Sequence, residues 1–241
     1  MVTEGRVAVN GKIKKGLPIL IDPAKDTVEV DGEPIKLAQR EVGKRLYILM
    51  NKPKGVYSTN VAQGEQTRVI DLLPPDLPGR VYPVGRLDAE SKGLLLLTND
   101  GELTNHLTHP RYGVAKTYKA VVDGYVTGES LEALAKGVWL SDERTGRGMK
   151  AGLSHVKIVS RGRVRSSLEI TLREGRNRQV RRMLAQLGHK VRDLTRIKLG
   201  PLTLKGLGPG QFRILTPREV KQLWRLGKRE AGDDGKEGGE E

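Results

Sequence analysis

The spacing of apolar and polar residues predicts most of the chain's elements. Val7-Ala8-Val9 and Val28-Glu29-Val30 run directly into Asn10-Gly11 and Asp31-Gly32. Asn-Gly or Asp-Gly after β-branched residues predicts a two-residue hairpin, whose turn positions both need positive φ. Asp22-Pro23 predicts a turn between the two hairpins. Residues 1–37 therefore predict a small β-rich unit, too small to hold a secure core alone. Residues 38–45 are charged and aperiodic, as expected of a linker. The apolar run Leu46–Met50 predicts a buried strand that breaks at Asn51-Lys52-Pro53-Lys54-Gly55. Gly93 precedes a second apolar strand, Leu94–Thr98, and Asn99-Asp100-Gly101 turns the chain into a short helix over Glu102–Thr108. Lys116–Val122, Leu153–Val159 and Ser167–Leu172 alternate with the period of a strand. From Gly175-Arg176-Asn177 a helix is expected, with Val180, Met183, Leu184 and Leu187 on one face and Arg178, Arg181 and Arg182 on the other, closed by Gly188. Thr216-Pro217-Arg218-Glu219 has the form of a capping box with proline at the first helical position, announcing a last helix. Strands outnumber helices without strict alternation, which predicts an α+β fold with a mixed, mostly antiparallel sheet.

Charge changes this picture. The chain has 241 residues, 43 Lys+Arg against 29 Asp+Glu, and a formal net charge of +14. Residues 228–241 hold 3 basic and 6 acidic groups and predict a disordered acidic tail. Without them the body carries 40 basic and 23 acidic residues, a net +17. Between Arg161 and Lys198 there are 12 Lys+Arg and 3 Asp+Glu. Such an arginine-dominated stretch, interrupted by strand and helix patterns, favours a surface that grips phosphates over a merely solvated face. There is no cysteine, so disulfides, thiolate metal sites and a cysteine nucleophile are excluded. The longest apolar runs, Leu46–Met50 and the four leucines Leu94–Leu97, are far short of a membrane span, and Met1–Arg6 lacks the apolar core of a secretory signal. A cytoplasmic protein without a membrane partner is expected.

Asp88 is the first candidate for chemistry. It sits in Gly85-Arg86-Leu87-Asp88-Ala89-Glu90-Ser91-Lys92-Gly93, between two apolar segments, where a rigid sheet can hold a carboxylate against a substrate. By spacing alone, a turn cap or a pair with Arg86 is the favoured account of Asp88. His106 and His109 lack a carboxylate at ligand spacing, so a metal site is not expected. Asp88, Glu90, Asp100 and Glu102 offer a magnesium-dependent nuclease reading, which scattered surface acids explain better.

Several blocks together resemble the RsuA/RluB-type ribosomal RNA pseudouridine synthases. They are Asn51–Gly55, Tyr82–Asp88, Gly93–Gly101, Lys116-Thr117-Tyr118 and Glu174–Met183, in the family's order over roughly residues 46–222. The resemblance implies a catalytic domain over 46–227 that isomerises uridine within RNA without metal or cofactor. It implies that Asp88 is the catalytic aspartate. It further implies that Tyr118 stacks on the base and assists loss of the C5 proton, and that Arg181 ion-pairs with the aspartate. Arg86 matches the arginine associated with the place the flipped base leaves, and Lys52, Lys54, Arg176, Arg178 and Arg182 are expected to bind RNA. Gly5–Gly11 through Asp31-Gly32 is similar to the second half of an alpha-L RNA-binding domain; only Met1–Glu4 stand before it, so the unit reads as truncated.

The chemistry suits those residue types. The reaction is redox-neutral; a carboxylate can add to C1′ or take the 2′ proton, and a guanidinium keeps it charged in a dry pocket. An extruded uracil needs an aromatic floor. Thr98–Leu103 with His109-Pro110-Arg111-Tyr112 is nearest to the branch acting on large-subunit (23S) rRNA, as free RNA or an assembly intermediate, by a monomeric enzyme. The alternatives are 16S rRNA and a non-catalytic RNA-binding or ribosome-assembly protein.

Overall fold

The computed structural model describes residues 1–16, 19, 21, 25–35, 45–141 and 148–227. The expected turn at Asp22-Pro23, the acidic tail and all of the expected linker except Arg45 lie outside the described residues. The chain divides into two compact units, Met1–Lys44 and Arg45–Glu241.

In the first unit β1 (Val7–Val9), β2 (Lys12–Lys14), β3 (Val28–Val30) and β4 (Glu33–Ile35) form an antiparallel sheet in the order β2-β1-β3-β4. Both hairpins turn where the sequence predicts. Asn10-Gly11 has φ of 50° and 74°, and Asp31-Gly32 has 55° and 81°, values that Asn, Asp and Gly adopt at least cost. An Arg6–Asp31 ion pair at 2.6 Å joins the start of β1 to the second turn.

The second unit contains β5 (Tyr47–Lys52), β6 (Tyr82–Pro83), β7 (Lys92–Thr98), α1 (Gly101–Thr108), β8 (Lys116–Asp123), α2 (Gly128–Lys136), β9 (Val138–Ser141) and β10 (Gly148–Ala151). It continues with β11 (His155–Ser160), β12 (Arg165–Leu172), α3 (Gln179–Gln186), β13 (Val191–Leu199), β14 (Leu202–Thr203), β15 (Phe212–Ile214) and α4 (Pro217–Arg225). The main sheet runs β11-β12-β8-β13-β7-β5-β15, with β14 on β13 and β6 on β7. Its pairs are antiparallel except β13 with β7. The fold is α+β with a mixed, mostly antiparallel sheet.

The run of four leucines is explained by burial on both faces of the sheet. Leu95 and Leu97 enter one core with Ile48, Met50, Ile170 and the α3 residues Met183 and Leu184. Leu94 and Leu96 enter a second core with Leu103 and Leu107 of α1 and Leu223 of α4. A strand covered on both sides reads as a continuous apolar run. Gly93 lets β7 lie beside β13. Its φ is +106°, and a Cβ there would stand 2.3 Å from the Arg196 carbonyl oxygen. The Thr216–Glu219 capping box forms as its sequence predicts and starts α4. The expected helix after Gly175 starts later, at Gln179, because residues 174–178 form a loop ahead of it.

Candidate active site

Asp88 is held by its backbone neighbours. Ser58 Oγ donates to the Leu87 carbonyl at 3.0 Å and accepts from the Leu87 N–H at 3.2 Å. Ser91 N–H donates to the Asp88 carbonyl at 2.9 Å, and Gly55 N–H to that of Ala89 at 2.8 Å. The loop is thus pinned on both sides of Asp88 while the carboxylate stays one-third exposed. Groups held this way need little reorganisation to meet a substrate.

The carboxylate faces a cavity of about 360 Å³, within the usual ~300–1,000 Å³ of small-molecule sites. Tyr118, from the middle of β8, lines it and is 9% exposed. Tyr118 stands opposite Ile170 on β12 and Arg196 on β13. The loop before α3 forms another wall, shaped by a side chain the sequence did not single out. Gln179 is buried; its Oε1 accepts from the Arg176 N–H at 3.1 Å and its Nε2 donates to Glu174 Oε1 at 2.6 Å. Arg176 pairs with Glu174 at 2.9 Å, and Arg86 is exposed at the cavity's edge.

The guanidinium beside Asp88 is not the expected one. Arg178 Nη1 lies 3.7 Å from Asp88 Oδ2, while its Nη2 lies 3.1 Å from Glu90 Oε2. Arg181 instead donates to the Val191 carbonyl at 3.2 Å and the Glu90 carbonyl at 3.4 Å, and stands 3.9 Å from the Glu90 carboxylate. The reason is local. Arg178 caps α3 with φ 46° and ψ 29°, a left-handed backbone that places it ahead of the helix beside the Asp88 loop. Arg181, one turn on, is only 11% exposed and points to the β13 end of the sheet. The hydrogen bond from Arg178 holds the Glu90 carboxyl below its usual range, with the charges of Arg178 and Arg181 adding to it.

Lys52 also departs from the RNA-binding role its motif implies: it is fully buried, with Nζ donating to the carbonyls of Pro53 at 2.9 Å and Val56 at 2.7 Å. Burial pulls its pKa down to about 8, opposed by the charge of Asp88 and reinforced by that of Arg196. Its place is beneath the site, out of reach of a phosphate. Lys54, by contrast, is exposed and joins Arg178, Arg182, Lys190 and Arg192 around a second, adjoining basic cavity. Arg182 donates to the Ser141 carbonyl. Three further cations, not singled out by the sequence, line the first cavity: Lys116, Arg173 and the buried Arg196.

The histidine and acid pairs serve structure. His106 is stacked against Tyr112, with ring centroids 4.3 Å apart, and Trp224 at 5.3 Å; His109 Nδ1 accepts from the Arg111 N–H. Asp100 caps α1 through the Leu103 N–H and takes hydrogen bonds from Tyr47 and Arg45. His109 lines the cavity of Asp88 and Glu90 shares Arg178 with it, whereas His106, Asp100 and Glu102 are not part of that lining.

Comparison with known proteins gives one answer. A family model described as RNA pseudouridylate synthase matches residues 46–186. The ribosomal large subunit pseudouridine synthase B of Bacillus subtilis (strain 168) is 41% identical over 227 residues, spanning 94% of this chain and 88% of its own length. An uncharacterized RNA pseudouridine synthase of Aquifex aeolicus (strain VF5) is 42% identical over 226 residues, spanning 93% and 86%. A crystal structure of a pseudouridylate synthase matches with a TM-score of 0.69 and 27% identity, covering 92% of this chain and 90% of that one. The match extends through the loop that holds Asp88, the strand that carries Tyr118 and α3, so the chain belongs to the RNA pseudouridylate synthase family, whose members are isomerases.

Proposed function

We propose that the protein converts one uridine of large-subunit ribosomal RNA to pseudouridine, with Asp88 as the catalytic carboxylate. The observation that carries this reading is a carboxylate on a pinned loop, 3.7 Å from a guanidinium, in a cavity that Tyr118 lines. The target uridine leaves its stack and enters the cavity, with Tyr118 against its ring. Asp88 meets the sugar at C1′ or takes the 2′ hydrogen, and Arg178 keeps it charged and oriented as water is displaced. After the N1–C1′ bond breaks, the ring turns, C5 bonds to C1′, and the C5 proton leaves last. Tyr118 is the side chain placed to assist that final loss. Arg86, Lys54, Arg176 and Arg182 hold flanking phosphates. The preference for large-subunit RNA is supported by the motif blocks and by what the Bacillus subtilis relative is named for acting on.

Unmodified 23S and 16S rRNA transcripts, incubated with the protein in EDTA and mapped for pseudouridine by carbodiimide and primer extension, test this. One strong new stop in 23S rRNA is expected. It should be absent with Asp88→Asn, whose RNA affinity should stay within about twofold, since the side chain is isosteric and the fold is kept. A stop only in 16S rRNA would replace the substrate. No stop in either RNA across several salt concentrations would overturn the reading in favour of a silent RNA-binding protein.

A further inference from the structure

Arg196 is an arginine out of balance with its surroundings. It projects from the central strand β13 and is 2% exposed, whereas the cavity's other arginines, Arg86, Arg173, Arg176 and Arg178, are exposed or half-buried. Its Nε donates to the Leu94 carbonyl at 2.6 Å, which fixes the plane of the guanidinium. Its Nη2 is buried and has no hydrogen-bond partner, and among the described residues no carboxylate forms an ion pair with it. The neighbouring charges make matters worse. Lys52 and Lys116 both feel the repulsion of Arg196, and burial already disfavours each ammonium. A buried cation with an idle donor beside two more cations costs folding free energy, and such a local conflict is expected where function demands it.

The register says where that charge is aimed. Arg196 stands directly opposite Tyr118 on the adjacent antiparallel strand, so both side chains share a face of the sheet and line the same cavity. Arg178 is divided between Asp88 and Glu90, and Arg181 is spent on backbone carbonyls and Glu90. Arg181 also keeps one buried donor, Nε, without a partner, but it lines the adjoining cavity; of the guanidiniums lining the cavity that holds Asp88 and Tyr118, Arg196 is the buried one with capacity for a new anion.

We propose that Arg196 stabilises the negative charge that the uracil ring carries once its N1–C1′ bond has broken. The inference rests on the isomerase reading above. In the breaking step the bonding pair leaves with N1 and spreads to O2 and O4. C1′ is compensated by Asp88, which either forms a C1′–O bond or accepts the 2′ hydrogen. When C5 bonds to C1′, the ring's charge is consumed and Asp88 is released or returns its proton; the C5 proton then departs to solvent while N1 takes one up, so charge and atoms balance. A preorganised donor aimed at charge that exists only along this path lowers the barrier without tightening RNA binding.

The test compares two substrates under single-turnover conditions, with holo-length protein and an rRNA transcript that the wild type modifies. One transcript carries uridine and the other 5-fluorouridine, whose fluorine stabilises the ring anion without help from the protein. The readout is loss of the N1-linked nucleoside after nuclease digestion. With uridine, Arg196→Gln is expected to slow cleavage by about 100-fold, the usual scale for removing one such donor, and with 5-fluorouridine by only about tenfold. RNA affinity should be unchanged within twofold, and Arg196→Lys, which keeps the charge but loses the fork, should fall between. Equal slowing of both substrates would assign Arg196 to structure and overturn the proposal, as would an unchanged rate. If Arg196→Gln does not fold, the ratio of the two slowdowns in Arg196→Lys decides in the same way. Failure of the wild type to form pseudouridine would instead overturn the isomerase reading itself.

Discussion

Asp88 and Glu90 share one guanidinium, Arg178, with Glu90 holding it more closely. In the complex, the approach of substrate and exclusion of water strengthen whichever pairing faces the cavity, and only Asp88 lines it. Arg178→Gln should therefore lower kcat by about 100-fold, whereas Arg181→Gln should lower it less and cost more in thermal stability. Equal effects on kcat would restore Arg181 as the aspartate's partner. Lys52 gives a second prediction at this scale. Its folded pKa of about 8 lies below its ordinary value of 10.5, so between these values the unfolded chain binds more protons than the folded one. The cost of burying the charge is fully present below pH 8 and is relieved as pH rises toward 10.5. Denaturant titrations of the wild type against Lys52→Met should show the wild type gaining up to roughly 3 kcal/mol over that window. Equal slopes in the two proteins would contradict it.

Among the elements, α4 owes part of its stability to one charged cap. Glu219 accepts from Arg213 at 2.6 Å and closes the capping box with Thr216, and the hydrogen bond from Arg213 is the main reason its carboxyl falls to about 2 from 4.5. A lowered carboxyl contributes fully above its unfolded value and loses that contribution as pH falls from about 4.5 to 2. Because both partners are partly solvated, Glu219→Gln should cost about 1–2 kcal/mol at pH 7, with the gap to wild type closing by pH 2 in thermal melts. Gly93→Ala tests the one parallel pair described in the sheet. A Cβ 2.3 Å from the Arg196 carbonyl, at φ +106°, cannot be absorbed by a rotamer. A loss of roughly 3 kcal/mol or more is expected, with failure to accumulate as soluble protein, and a variant of wild-type stability would contradict the packing described. These elements also show what the sequence reveals. β5, β7, β8 and both hairpins are legible because an apolar run, alternation or an Asn-Gly turn signals each. β13 is not. Its Val-Arg-Asp-Leu-Thr-Arg-Ile-Lys-Leu carries charge on both faces, and one of those charges is the buried Arg196, so the central strand of the sheet resembles surface. α2, β9, β10 and β15 were likewise unmarked by strong periodicity.

At the scale of the molecule, the basic excess predicts polyanion binding with a definite salt dependence. Lys54 is exposed on the second basic cavity; if it grips a phosphate, Lys54→Gln should reduce the slope of log K against log salt by about one unit, without changing which uridine is modified. An unchanged slope would leave it as an ordinary solvated charge. The site was legible in part for a related reason. Asp88, Tyr118 and Arg178 lie within dense local motifs, whereas Ser58, Gln179 and Arg196 take their meaning from partners 29, 5 and 102 positions away. Only the folded chain brings those partners together. The position of β13 between β7 and β8 has a further consequence, for synthesis rather than catalysis. A nascent chain that has emerged only to residue 190 holds two sheet fragments, β5-β7 and β8-β12-β11, each with an open edge and no strand to join them. Their union awaits the arrival of residues 191–199, and a fold completed by such late, distant pairing forms slowly and exposes its edges meanwhile. Because Leu194 and Arg196 of that late strand line the cavity beside Asp88, the site has no complete wall until residues 191–199 have joined the two fragments.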